Sequence, residues 1–389
     1  MKRLALLLLL AATPALSQIR SDQALPAASP AAEQASGSMA SNGTLSFVTW
    51  RERTGQQAVM RGAFIAADGE LGAPIELGEA NTQTMTATAS NGRDFLVIYV
   101  DPRSRLVARR VALEGVLNAT PIVIAENAVA ADSLAAGWSG QGYVVVTAGK
   151  RSAVTISGVT ADGLVAVSPQ VISTGNAPAD TPAVSCAANT CSVTWHVAAF
   201  CLLLSSGCAN FTDNDILART NGVGNVISQE FLTNAPRVTP ALSIPASEGK
   251  SIFVYSNGRS MFAGRVSAAG FVLDAPSSNF LIMQSGTPFP LQPVAVIRNG
   301  LYLVELDDET NGRLYWSRIE TEPTPRATSL VNLHQSVTLP LTLAASARNT
   351  YFLYSRGSDD PNLMAPRLFL RTIASPDPQP SPVRRHAAR

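Results

Sequence analysis

Ala89-Ser90-Asn91-Gly92-Arg93-Asp94-Phe95-Leu96-Val97-Ile98-Tyr99 carries two signals in succession. Ser-Asn-Gly is turn chemistry: glycine takes positive φ without a steric cost, and the Asn side chain bonds its own backbone two residues on. Phe95 to Tyr99 is a β-branched and aromatic run of strand length. The same pair of signals returns along the chain. Its turns lie at Asn42-Gly43, Asn91-Gly92, Gln141-Gly142, Asn189-Thr190, Glu248-Gly249, Asn299-Gly300 and Asn349-Thr350, about fifty residues apart with one longer step. The strands that follow include Leu45–Trp50, Tyr143–Val146, Ser192–Trp195, Ile252–Tyr255, Leu301–Val304 and Tyr351–Tyr354. Their near-continuous apolarity calls for cover on both faces.

Before each turn lies a short strand of small residues, such as Met39-Ala40-Ser41, Ala87-Thr88-Ala89 and Ala183-Val184-Ser185. After the apolar strand comes a third, marked by arginine at Arg110, Arg219, Arg265, Arg318 and Arg371. A second turn at Asp68-Gly69, Glu114-Gly115, Asp162-Gly163 and Gly270 leads to a fourth. Four strands per copy, labelled A to D, with small residues on the strand nearest a common axis, predict an all-β, seven-bladed β-propeller. The blades are expected at about 36–83, 84–131, 132–179, 180–238, 239–290, 291–338 and 339–375. The last copy lacks strand D, so Ala24–Ala28, within residues 22–30, is expected to supply it and close the ring.

The copies resemble a secreted bacterial β-propeller repeat with the consensus P-x-V-A-x-x-G-x-x-Y-L-V-V-W-x-D-x-R. It survives as ASNGTLSFVTWRER (40–53), ASNGRDFLVIYVDPR (89–103) and PVAVIRNGLYLVEL (293–306). The resemblance spans about residues 24–375 and implies a fold rather than an activity. The chain has no Ser-x-Asp-x-Gly-x-Thr-Trp boxes, Trp-Asp dipeptides or paired kelch glycines.

The 389 residues carry a net charge of +1 and only 15% charged side chains. No basic stripe of the kind nucleic acid requires is present. Met1-Lys2-Arg3, the apolar run Leu4–Ala12 and Ala15-Leu16-Ser17 read as a signal peptide over residues 1–17. No later apolar run reaches spanning length. The product is expected to be secreted or periplasmic, and the Ala-rich leader has a bacterial look. Residues 376–389, rich in Pro and Arg, read as a disordered tail.

Cys186, Cys191, Cys201 and Cys208 fall within one repeat. In an exported chain this reads as disulfides, Cys186–Cys191 across a hairpin and Cys201–Cys208 closing an insertion. Zinc is the alternative, but the paired C-x-x-C spacing is missing. Neither a metal nor a cofactor is expected. Asp307-Asp308-Glu309-Thr310-Asn311-Gly312 looks like a calcium loop, yet Arg318 stands where the closing acid belongs. His196, His334 and His386 are too scattered for a known motif, and the sequons at Asn42, Asn118 and Asn210 mean little in a bacterial chain. Glu52, Asp101 and Asp307, just after strand B, recur with the repeat. With the strand C arginines they read as structural pairs rather than as catalytic groups.

Propeller topology puts the A–B and C–D turns on one face and the B–C and D–A loops on the other. The second face is expected to carry longer loops, and with them function. Its one unrepeated element is the insertion in the fourth copy. Phe200, Leu202, Leu203, Leu204 and Phe211, flanked by Asp213 and Asp215, are the candidate contacts there. The loop either meets a partner or folds back as a plug. No catalytic residue is assigned. The expected function is an exported module binding a protein or glycan. The alternatives are an extracytoplasmic hydrolase or lyase with its site at the channel mouth, and a structural envelope protein.

Overall fold

The computed structural model describes residues 22–128, 133–149, 152–173, 179–187, 189–197, 201–204, 207–210 and 214–233, and beyond these the strands with short flanks up to residue 374. The expected signal peptide and C-terminal tail lie outside the described residues.

Among the described residues the strands form seven antiparallel sheets of four or five strands and one separate two-stranded hairpin. The first sheet runs Glu33–Ser41, Ser46–Thr54, Gln57–Ile65 and Ile75–Ala80, each strand paired with the next. The fourth runs Ala179–Ala187, Thr190–Val197, Asn214–Asn221 and Val226–Thr233. The seventh contains Leu339–Ala345, Asn349–Arg356 and Arg367–Ala374, with Gln23–Ala24 paired antiparallel to the last of these. Leu25 continues that pairing through its N–H to the Leu368 carbonyl. The strand was expected over Ala24–Ala28; it ends at Ala24, before Pro26, which has no N–H to donate.

Strand B of the second sheet, Phe95–Val100, shows how the sheets stack, because every one of its residues is buried. Phe95, Val97 and Tyr99 join Phe47, Met60 and Leu77 in the core between the first and second sheets. Leu96, Ile98 and Val100 face the other way, into a core with Tyr143, Val145 and Val159 of the third. A period of two thus serves two cores, and each fully buried apolar side chain contributes roughly 1.5–3 kcal/mol. Trp50 packs on Tyr351, Leu353, Leu368 and Leu370 in a core shared by the first and seventh sheets.

Strand A of each sheet touches strand A of the next, and that of the seventh touches that of the first. Small polar side chains permit the approach. The Thr49 and Thr88 hydroxyls lie 2.8 Å apart, and the Thr88 N–H donates to Ser38 Oγ at 3.0 Å.

The opposite rim is clasped by turns. Asn42 Oδ1 accepts from the N–H groups of Thr44 and Leu45, and Asn91 Oδ1 from those of Arg93 and Asp94, with Gly43 and Gly92 at positive φ. The third turn is displaced from the expected Gln141-Gly142. Gly140 holds the positive φ, and Ser139 Oγ accepts from Gln141 and Gly142 in place of Asn. In the fourth copy Asn189 itself adopts φ 64°.

The recurrent strand C arginines also lie at this rim. Arg110 pairs with Asp94 and donates to the Asp162 carbonyl of the third sheet. Arg219 lies over Phe271 of the fifth, and Arg371 pairs with Asp22. The acids after strand B sit about 16 Å away along the hairpin and have other partners. Glu52 pairs with Arg61, and Asp101 with Arg105. These acids and the recurrent arginines, expected to pair, do not meet. The side chain of Asp307 lies outside the described residues.

Candidate functional site

In the first copy the B–C connection is short: strand B runs past its apolar stretch to Thr54, and strand C resumes at Gln57. The cause is cross-strand charge. Arg53 lies opposite Glu33 and is bonded to it, and Arg51 Nη2 reaches Glu33 at 3.5 Å. Burial holds the Arg51 guanidinium below its ordinary range, with Glu33 opposing. Glu52 accepts the Arg61 guanidinium at 2.9 Å and the Ala28 N–H at 3.2 Å. It therefore ties the N-terminal segment to this face.

The innermost strands are irregular at this mouth. Their register shifts between Ala35 and Ser38, between Asp180 and Ala183, between Thr239 and Leu242, and between Pro340 and Thr342. Ser36, inside the first of these, has φ 56°. Such bulges re-aim side chains beside sites, and a non-glycine residue at positive φ is strained.

The insertion of the fourth copy is a β-hairpin, Cys201–Leu204 paired with Gly207–Asn210, and it joins none of the four-stranded sheets. The register sets Leu203 opposite Cys208 and Cys201 opposite Asn210. Cys201 and Cys208 are therefore diagonal rather than facing. Phe200, Phe211 and Asp213, and the side chains of Leu202, Leu203, Leu204, Asp215, Cys201 and Cys208, lie outside the described residues. The other expected bridge is present, with Cys186 bonded to Cys191 directly across strands A and B.

At the foot of the hairpin, strand register assembles a row that no spacing rule would find. Asp180 stands opposite His196, and His196 opposite Asp215. His196 is 9% exposed. The corresponding row of the first sheet is Ala35, Arg51 and Met60, so the aspartate–histidine row is particular to the fourth.

In the second sheet the B–C turn, Asp101 to Arg105, is built around one carboxylate. Asp101 Oδ1 accepts the N–H groups of Arg103 and Arg105, and Oδ2 the Arg105 guanidinium at 2.8 Å. Burial pushes this carboxyl up, but the Arg105 and Arg103 donors together hold it below the ordinary carboxylate range. Among the described residues no cluster of His, Cys, Asp and Glu is disposed to hold a metal, and no helix is long and apolar enough to cross a membrane.

No protein-family model matches the sequence, and no curated protein sequence matches it. Solved structures do resemble the fold. The β-propeller domain of the Trilobed protease from Pyrococcus furiosus, a propeller of open Velcro topology, aligns with TM-score 0.51 at 8% identity, over 90% of this chain and 99% of that one. The fold is a β-propeller. A neuraminidase-like protein of A/bat/Guatemala aligns with TM-score 0.48 at 9% identity, over 94% of this chain and 97% of its own. A lectin in complex with alpha methyl fucoside aligns with TM-score 0.43 at 11% identity, over 78% and 96% respectively. At such identities the likeness extends to architecture alone. The disulfide, with no membrane-crossing helix among the described residues, is compatible with an extracellular protein.

Proposed function

We propose that the chain is an exported seven-bladed propeller, closed by its N-terminal strand, that binds a protein or glycan through its B–C face. Closure is supported by the pairing of Gln23–Ala24 with the seventh sheet and by the core that sheet shares with the first. Export is supported by the leader-like residues 1–17 and the Cys186–Cys191 bridge. One observation carries the binding reading: in a frame of repeated sheets, a separate hairpin with the sequence Cys201-Leu202-Leu203-Leu204 interrupts the B–C connection of a single copy. An apolar insertion on a polar rim marks contact with another body.

The test replaces Leu202, Leu203 and Leu204 together with serine. The variant is compared with the parent on a glycan array and in capture from an envelope extract. Lost binding at an unchanged melting temperature is expected. Unfolding would instead make the hairpin a plug, and unchanged binding would remove it from the site.

The row Asp180, His196 and Asp215 favours a second reading, a hydrolase or lyase at the channel mouth. His196 stands in backbone register with two aspartates in a single copy, and those residue types are the ones general acid–base chemistry uses. Turnover of a glycan or ester by the parent, abolished in His196→Asn with the fold retained, would establish that reading over pure binding.

A further inference from the structure

We propose that the cleft between the first and second sheets binds a carboxylate-bearing sugar unit, a uronic acid within an acidic oligosaccharide. This rests on the B–C face being a binding surface, but not on the hairpin. The cleft opens beside the Asp101 to Arg105 turn and has a volume of about 270 Å³. That is below the ~300–1,000 Å³ of sites for drug-sized molecules, and suits a single ring.

Its floor is built for a polar group. Arg109 donates Nε to the Leu77 carbonyl and Nη1 to the carbonyls of Asn118 and Ala119. Carbonyls hold the guanidinium in place without neutralising it, and no carboxylate pairs with it among the described residues. Beside it Tyr99, 1% exposed, donates its hydroxyl to the Leu77 carbonyl at 3.2 Å. Burial holds that phenol above its ordinary range, with Arg109 opposing, so it stays protonated and its oxygen remains an acceptor.

Gly78 leaves room above Arg109. It sits at φ +135°, and a Cβ there would stand 2.9 Å from the Tyr99 hydroxyl and 3.5 Å from Arg109 Nη2. Any side chain would fill the cradle over Arg109.

The charges around the cleft select the ligand. Arg103, Arg105 and Arg109 face Asp101 and Glu79, which leaves one positive charge in excess. Since Arg105 is committed to Asp101, Arg103 and Arg109 are the cations available to a ligand. A monoanion matches this balance, whereas a dianionic phosphate would meet two carboxylates at close range. Glu79, exposed at the edge of the cleft, accepts hydrogen bonds from hydroxyls. A hydroxyl-rich ring with one carboxylate satisfies both kinds of group, and an arginine–carboxylate contact supplies the orientation.

The test is calorimetric titration of the mature full-length protein with oligogalacturonate, with its methyl ester, and with acetate as competitor. Oligogalacturonate is expected to bind, the uncharged ester at least roughly tenfold more weakly, and equimolar acetate to leave the binding intact. Arg103→Glu, at an exposed position, should weaken oligogalacturonate about tenfold or more with no change in melting temperature. Gly78→Ala should block the cleft without altering its charge. The Leu202 to Leu204 serine variant should bind oligogalacturonate normally, which separates this site from the hairpin. Equal binding of ester and acid, or unaltered affinity in Arg103→Glu, overturns the proposal. Displacement by equimolar acetate would reduce the cleft to a simple anion site and overturn it as well.

Discussion

Two glycines separate turn strain from packing. Gly43 and Gly69 have nearly the same backbone, φ 93° and 90°, in an A–B and a C–D turn. A Cβ on Gly43 would meet nothing within 4 Å, whereas one on Gly69 would lie 2.8 Å from Thr372 Oγ1 of the seventh sheet. Gly43→Ala should therefore cost about 1 kcal/mol from the backbone alone, and Gly69→Ala that amount plus roughly 1–3 kcal/mol of overpacking. Denaturant unfolding of the two variants measures the difference; equal losses would mean that the turn does not bear on its neighbour. Asp101 gives a pH-dependent prediction. Its carboxyl lies below the ordinary 3.8 in the folded chain, so its charge stabilises above that pH and the contribution fades as pH falls through the folded value. Asp101→Asn should melt lower than the parent at pH 7, and the gap should narrow as pH falls below the ordinary 3.8. A gap independent of pH would locate the effect in shape rather than charge. These residues were unequally legible. Asn42-Gly43 announced its turn, but the work of Ser139 and Gly140 was hidden because Gln141-Gly142 one step on looked like the motif.

At the scale of single elements, strand B was the most readable feature, since burial on both faces forces an apolar run that charge or turn residues would interrupt. The Cys186–Cys191 pairing was readable too, because a short turn places its flanking residues opposite one another. Replacing both cysteines with alanine removes a small covalent loop, worth about 2 kcal/mol by loop entropy. Less should be lost here, because hydrogen bonds already close the hairpin. A loss in chemical denaturation of about 1 kcal/mol is expected, and one above roughly 4 kcal/mol would mean that the bridge does more than close the turn. What the sequence concealed was assembly between elements. Gly78, Tyr99 and Arg109 come from three strands of two sheets, and Asp180, His196 and Asp215 from three strands of one. Neither set has a spacing that marks it, because pairing register and sheet stacking bring the residues together. The acids after strand B misled for a related reason: their recurrence suggested arginine partners that strand rise places at the opposite rim.

The whole molecule depends on how its ends meet. Asp22 bonds Arg371 through two contacts, at 2.6 and 2.8 Å, and the arginine is almost wholly buried. Leu25 is buried in the core of the first and seventh sheets. Arg367 donates to the carbonyls of Ser29 and Pro30, and the Gln34 side chain bonds Pro26 O and the Leu368 N–H. Removing residues 18–30 would expose the Arg367–Ala374 strand edge and take the Asp22 carboxylate from Arg371. Stripping one partner from a buried pair costs ~3–5 kcal/mol, and losing Leu25 roughly 1.5–3 kcal/mol more. The sum approaches half or more of a typical total stability of ~5–15 kcal/mol. The truncated chain should therefore melt far below the parent or aggregate through its open edge. Asp22→Asn in the intact chain is the milder companion. It keeps the strand and removes the charge, so it should lower the melting temperature by less than the truncation. If the truncated protein melts with the parent, the proposed closure by the N-terminal strand is wrong.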